Sequence, residues 1–116
     1  MRIGELVRRT GVSERLLRYY EEQGLLTPER RPSGYRDYTD DHVDAVRRIR
    51  SLLAAGLSTS TIATVLPCLG TGGERLAPTC PDVLGQLRRE RDRIDRAMDD
   101  LRTSREALDV VISAAP

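Results

Sequence analysis

Apolar residues in the first half of the chain recur at three- and four-residue intervals in short bursts, each closed by a glycine or a capping residue. Ile3, Leu6 and Val7 predict a first helix, and Thr10-Gly11-Val12 breaks its pattern. Ser13 is placed to accept a backbone hydrogen bond as N-cap of a second helix running to about Gln23, with Leu16, Leu17 and Tyr20 on its inner face. Gly24 ends that helix where a left-handed residue costs least. Two short helices joined by a tight glycine-containing turn form a helix-turn-helix pattern. Pro32-Ser33-Gly34 then signals a turn ahead of the strand-favouring Tyr35-Arg36-Asp37-Tyr38, which predicts a β-hairpin wing with strands near 26–29 and 35–38. Thr39 caps a third helix whose first turn, Asp40-Asp41, suits the positive end of the helix dipole and whose apolar face is Val43, Val46, Ile49, Leu52 and Leu53. Gly56-Leu57-Ser58 repeats the turn and cap before a short helix from about Thr59 to Leu66.

Pro67, Gly70, Gly72, Gly73 and Pro78 make 67–81 a loop, and Pro81 sits where the first residue of a helix needs no N–H. From Leu84 the period changes to seven. Leu87, Ile94, Leu101 and Leu108 recur as one seam position; Leu84, Arg91, Met98, Arg105 and Ile112 occupy the other. A heptad sustained over about four repeats predicts a coiled coil. Its helix, roughly 45 Å long, exceeds what a small head covers, so the stripe needs a second copy of the chain. Arg91 and Arg105 in the seam favour antiparallel or offset pairing. The expected fold is mainly α, with a winged helix-turn-helix head and second helical pair over 1–66, the loop over 67–81, and a dimerisation helix over 82–113.

Composition narrows the class. With 39% hydrophobic and 32% charged residues the chain reads as globular. No apolar run reaches membrane-span length and the first residues lack the apolar core of a signal peptide, so a cytoplasmic protein with no membrane partner is expected. The net charge of +1 is uninformative, but its distribution is not. Residues 1–36 hold eight arginines against five glutamates, so the positive field lies at the N-terminal end. His42 is the single histidine, expected as an ordinary surface residue, and it makes no catalytic constellation with a nucleophile. The glycines at 70, 72 and 73 lack the preceding strand and following Lys-Ser or Lys-Thr of a phosphate loop. No enzymatic activity is expected.

Ile3-Gly4-Glu5-Leu6-Val7, Thr10-Gly11-Val12-Ser13, Leu17-Arg18-Tyr19-Tyr20-Glu21-Glu22-Gln23-Gly24-Leu25 and Gly34-Tyr35-Arg36-Asp37-Tyr38-Thr39 together resemble the signature of the MerR family of transcription regulators. Arg-Tyr-Tyr-Glu paired with Gly-Tyr-Arg-x-Tyr is the specific part. The resemblance implies an antiparallel coiled-coil homodimer on a pseudo-palindromic DNA operator between two promoter elements. It implies that effector binding bends and untwists that DNA so that RNA polymerase, acted on indirectly, finds the elements realigned.

Periodicity turns Glu14, Arg15, Arg18, Tyr19 and Glu22 outward on the recognition helix, where Arg15 and Arg18 suit guanine edges or phosphates. Arg30, Arg31 and Arg36 on the wing suit the flanking backbone, with a hydroxyl from Tyr35 or Tyr38. Strand alternation sends those two tyrosines to opposite faces. The expected dimer residues are Leu84, Leu87, Ile94, Met98, Leu101, Leu108 and Ile112. Cys80 stands at the start of the long helix, where the resemblance implies a metal ligand in mercury- and zinc-responsive relatives; Cys68 is the second thiol. Small apolar fillers, redox-active thiols and a metal ion all stay open for the pair. Two other readings are an architectural or excision-type protein that bends DNA without an effector, and a coiled-coil adaptor whose head binds protein.

Overall fold

In the computed structural model, residues 1–70, 77, 78 and 80–116 are described. The chain divides into two compact units, Met1–Thr79 and Cys80–Pro116.

The first unit opens with α1 (Ile3–Thr10) and α2 (Glu14–Glu22). Gly11, at φ 72°, turns the chain out of α1 while its N–H closes on the carbonyl of Val7 at 2.9 Å. A side chain there would be strained, which is why the turn carries glycine. Ser13 caps α2 by accepting from the N–H of Leu16 at 3.2 Å, so the cap falls where its residue type predicted. α2 buries Leu17 and Tyr20. Leu16, expected beside them, is instead exposed: it lies about 100° around the helix from Leu17, outside the narrow stripe that nine residues present to the core.

β1 (Glu29–Arg30) and β2 (Arg36–Asp37) pair antiparallel, Glu29 opposite Asp37 and Arg30 opposite Arg36. The strands are shorter than predicted. Arg31 and Tyr35 add one hydrogen bond beyond the ladder, and the turn closes with the N–H of Gly34 on the carbonyl of Arg31. Behind the hairpin the backbone of Met1 pairs with Tyr38 in both directions, at 2.6 and 2.7 Å. The Met1 ammonium also binds Asp37 at 2.9 Å, and this bond holds the Asp37 carboxyl below its usual range.

α3 (Asp40–Ala54) buries Val43, Val46, Ile49 and Leu52, and α4 (Thr59–Val65) buries Ile62 and Val65 behind its Ser58 cap. α1 packs on both α2 and α3, and α3 on α4. An ion pair from Arg9 to Asp40 links α1 to the start of α3. Leu6, Val12, Leu17, Tyr20, Leu25, Leu26 and Tyr38 complete one apolar core, which contains no buried charged or polar residue among those described. That core fixes how α2 and the wing stand to each other. After α4 a single 3-10 turn (Leu66–Cys68) leads into β3 (Leu69–Gly70), which pairs with β4 (Ala77–Pro78). The loop's Gly72 and Gly73 lie outside the described residues.

The second unit is α5 (Pro81–Ser113), a single helix of 33 residues with Pro81 in its first turn. No helix among the described residues is long and apolar enough to cross a membrane.

Candidate nucleic-acid interface

α2 and the wing present their polar sides together. Glu14, Arg15, Arg18, Tyr19 and Glu22 line one open recess on α2, the same five residues that periodicity turned outward. Arg18 donates to Glu14 one turn back, at 2.8 Å through Nη2, and that hydrogen bond strengthens the hold of its guanidinium on its proton. Arg36 reaches from the wing to α2, its Nε lying 3.0 and 3.2 Å from the two carboxylate oxygens of Glu21. This pair ties wing to recognition helix. Arg31 lies 3.6 Å from Asp37 within the wing, and Arg30 projects into solvent from β1.

The two wing tyrosines divide as alternation required. Tyr35 is 58% exposed. Tyr38, offered from the sequence with Tyr35 as the residue whose hydroxyl meets phosphate, is 1% exposed, and its hydroxyl has no hydrogen-bond partner. The expectation for Tyr38 is therefore corrected: its ring fills the core under α3, and desolvation pushes its hydroxyl pKa up. Tyr20 is buried as its spacing predicted, with Tyr19 exposed beside it and the two rings 6.5 Å apart.

Two residues of the head have contacts that the sequence reading did not assign. The guanidinium of Arg2 lies 4.5 Å above the Tyr35 ring, a cation–π contact that sets it beside Arg18 and Arg36 around a recess of about 250 Å³. Nothing local singles out Arg2, because its neighbours there are distant in the chain. His42, expected as an ordinary surface side chain, uses both ring nitrogens: Nδ1 accepts from the N–H of Thr39 and Nε2 meets the carbonyl of Thr27, each at 2.8 Å. The Thr39-x-x-His42 spacing was the available signal, since a residue three positions past an N-cap reaches back to it.

Along α5, Leu84, Met98, Leu101, Leu108 and Ile112 are exposed, Leu101 at 70%, while Leu87 and Ile94 are half-buried. Cys68, closing the 3-10 turn, and Cys80, the N-cap of α5, are both disulfide-bonded. Among the described residues no three His, Cys, Asp or Glu side chains gather as a metal site, and disulfide sulfur is not the thiolate that a metal ion takes. Cys68 and Cys80, disulfide-bonded as they are, do not fit a metal.

A short helix pair, a two-stranded wing tied to the second helix and a ring of arginines around the junction define a winged helix-turn-helix DNA-binding protein. Residues 1–68 match the MerR HTH family regulatory protein model, and the chain belongs to that family. It is 33% identical over 108 residues to the HTH-type transcriptional regulator HmrR of Rhizobium leguminosarum bv. viciae, an alignment covering 93% of this chain and 83% of that one. It is 32% identical over 102 residues to the mercuric resistance operon regulatory protein of Bacillus cereus, covering 87% and 74%. Among solved structures it is similar to the transcription regulator PbrR691 from Ralstonia metallidurans CH34 in complex with lead(II), with TM-score 0.77, 28% identity, and 99% and 88% of the two chains covered. HiNmlR, a MerR family regulator lacking the sensor domain and bound to promoter DNA, shares the fold at TM-score 0.57 and 21% identity, over 93% and 83%. The protein is a DNA-binding regulator of transcription and not an enzyme.

Proposed function

We infer that two copies, paired along α5 through Leu84, Leu87, Ile94, Met98, Leu101, Leu108 and Ile112, hold two heads on successive turns of a pseudo-palindromic promoter operator in the cytoplasm. α2 enters the major groove with Arg15, Arg18 and Tyr19 toward base edges and phosphates. Arg30, Arg31, Arg36 and the Tyr35 hydroxyl meet the flanking backbone, and Arg2 joins them. The observation that carries this reading is the Arg36–Glu21 tie, which sets the wing and the recognition helix on one side of the head. RNA polymerase is affected indirectly, through distortion of the duplex between promoter elements. Arg18→Ala abolishes binding to an operator selected from a randomised duplex pool while the dimer survives in sedimentation; undiminished binding by that variant refutes the assignment.

The relative named for mercuric resistance and the neighbour solved in complex with lead(II) raise a metal effector for this chain. The disulfide-bonded Cys68 and Cys80 support the thiol-redox alternative instead, because a metal ligand has to be free thiolate. Titrating the purified protein with a dithiol reductant then changes operator affinity, with zinc having no effect before reduction. Equal affinity in both redox states removes the cysteines from regulation.

A further inference from the structure

Each strand of the wing is two residues long, too little hairpin to hold its own geometry in water. Something else has to fix its two feet. Thr27 stands at the foot of β1 and Thr39 at the foot of β2, and His42 in the first turn of α3 binds both. Its Nδ1 accepts the backbone N–H of Thr39, so that nitrogen carries no hydrogen. A neutral imidazole then keeps its single N–H on Nε2. That N–H donates to the Thr27 carbonyl, fifteen residues back in the chain. The ring stands edge-on to buried Tyr38, centroids 5.5 Å apart and planes at 86°.

Capping α3 uses only the Nδ1 bond, which Glu or Gln supplies in many helices. The Nε2 bond adds nothing to that helix; its partner belongs to the segment feeding the wing. We propose that His42 is a positioning residue for DNA binding: one imidazole ties both feet of the wing to α3 and thereby sets where Arg30, Arg31 and Arg36 meet the phosphate backbone. The proposal rests on the wing's contact with DNA, and it deepens that reading by naming a tie from α3 that acts beside the Met1 pairing with Tyr38 and the Arg36–Glu21 pair.

Two neutral replacements separate the two bonds. His42→Asn sets an amide oxygen near the place of Nδ1 and is too short to reach Thr27. His42→Gln carries an amide N–H near the place of Nε2. With a labelled duplex bearing the selected operator, His42→Asn binds about tenfold more weakly, the effect of removing one well-placed hydrogen bond. Its plot of log affinity against log salt flattens by about 0.9 for each phosphate that the wing no longer reaches. Amide exchange at Arg31 and Gly34 speeds up in the same variant, the thermal midpoint stays near wild type, and His42→Gln restores all three wing readouts.

Wild-type affinity and slope in His42→Asn overturn the proposal. Equal impairment of the Asn and Gln variants also overturns it, since packing of the ring on Tyr38 would then be what matters. If the wild-type protein ignores every duplex while His42→Asn still loosens the Arg31 and Gly34 amides, the DNA reading has failed on its own and the tie to the wing has not.

Discussion

Arg36→Ala, Glu21→Gln and the double variant test how the interface is poised before DNA arrives. In the free head Arg36 sits 3.0 Å from Glu21, with about a third and a fifth of the two side chains still exposed. A phosphate has to take the guanidinium from that carboxylate. One neutralised phosphate adds about 0.9 to the slope of log affinity against log salt, roughly fivefold in affinity at about 0.15 M salt. The pair itself, being partly solvated, is worth at most about 1 kcal/mol. Arg36→Ala therefore binds about tenfold more weakly, roughly fivefold from the missing phosphate bond and the remainder from the uncovered Glu21 carboxylate facing phosphates, and its slope flattens by about 0.9. Glu21→Gln frees Arg36 and strengthens binding about two- to fivefold, since its competitor is gone. The double variant, lacking both charges, loses the roughly fivefold phosphate bond from the strengthened Glu21→Gln level and so settles between wild-type affinity and about 2.5-fold below it. Fluorescence anisotropy over a salt series, on the selected operator and on mixed-sequence duplex, reads all four corners of the cycle. Weaker binding by Glu21→Gln would show that the pair presents Arg36 to DNA rather than competing for it. An unchanged slope in Arg36→Ala would show that Arg36 never reaches a phosphate.

Tyr38→Phe removes a buried hydroxyl that has no partner; stability rises by about 1 kcal/mol in urea titration with operator affinity unchanged, and a fall in affinity would return Tyr38 to the backbone-binding set. Leu101→Asp puts a charge on the exposed stripe of α5 and yields single subunits in sedimentation, because each leucine withdrawn from the seam forfeits about 1.5–3 kcal/mol of burial; an intact dimer means the heptad register is misplaced. Asp37 is held below its ordinary pKa by the Met1 ammonium, so its contribution is present above the unfolded value near 3.8 and fades as pH falls through the folded one. Asp37→Asn is accordingly less stable than wild type at neutral pH, and the two unfold alike in acid; a stability gap that persists in acid refutes the charge-based account.

Helix starts, helix ends and the buried stripe were legible in the sequence because they are local. Ser13 and Ser58 cap the helices they precede, Gly11, Gly24 and Gly56 take the left-handed turns, and Leu17, Tyr20, Val43, Val46 and Ile49 line the core at the spacing of a helix. Those features depend on neighbours within four or five positions, so a single chain read in order contains them. Tertiary packing decided the rest. Alternation separates Tyr35 from Tyr38 but does not say which one faces inward; the core beneath α3 chose Tyr38. Arg2 reached the interface by stacking on a residue 33 positions away, and His42 became a tie only when Thr27 was folded within 2.8 Å of its ring. Contacts across such separations depend on how helices pack, and no short-range pattern of residue types encodes that.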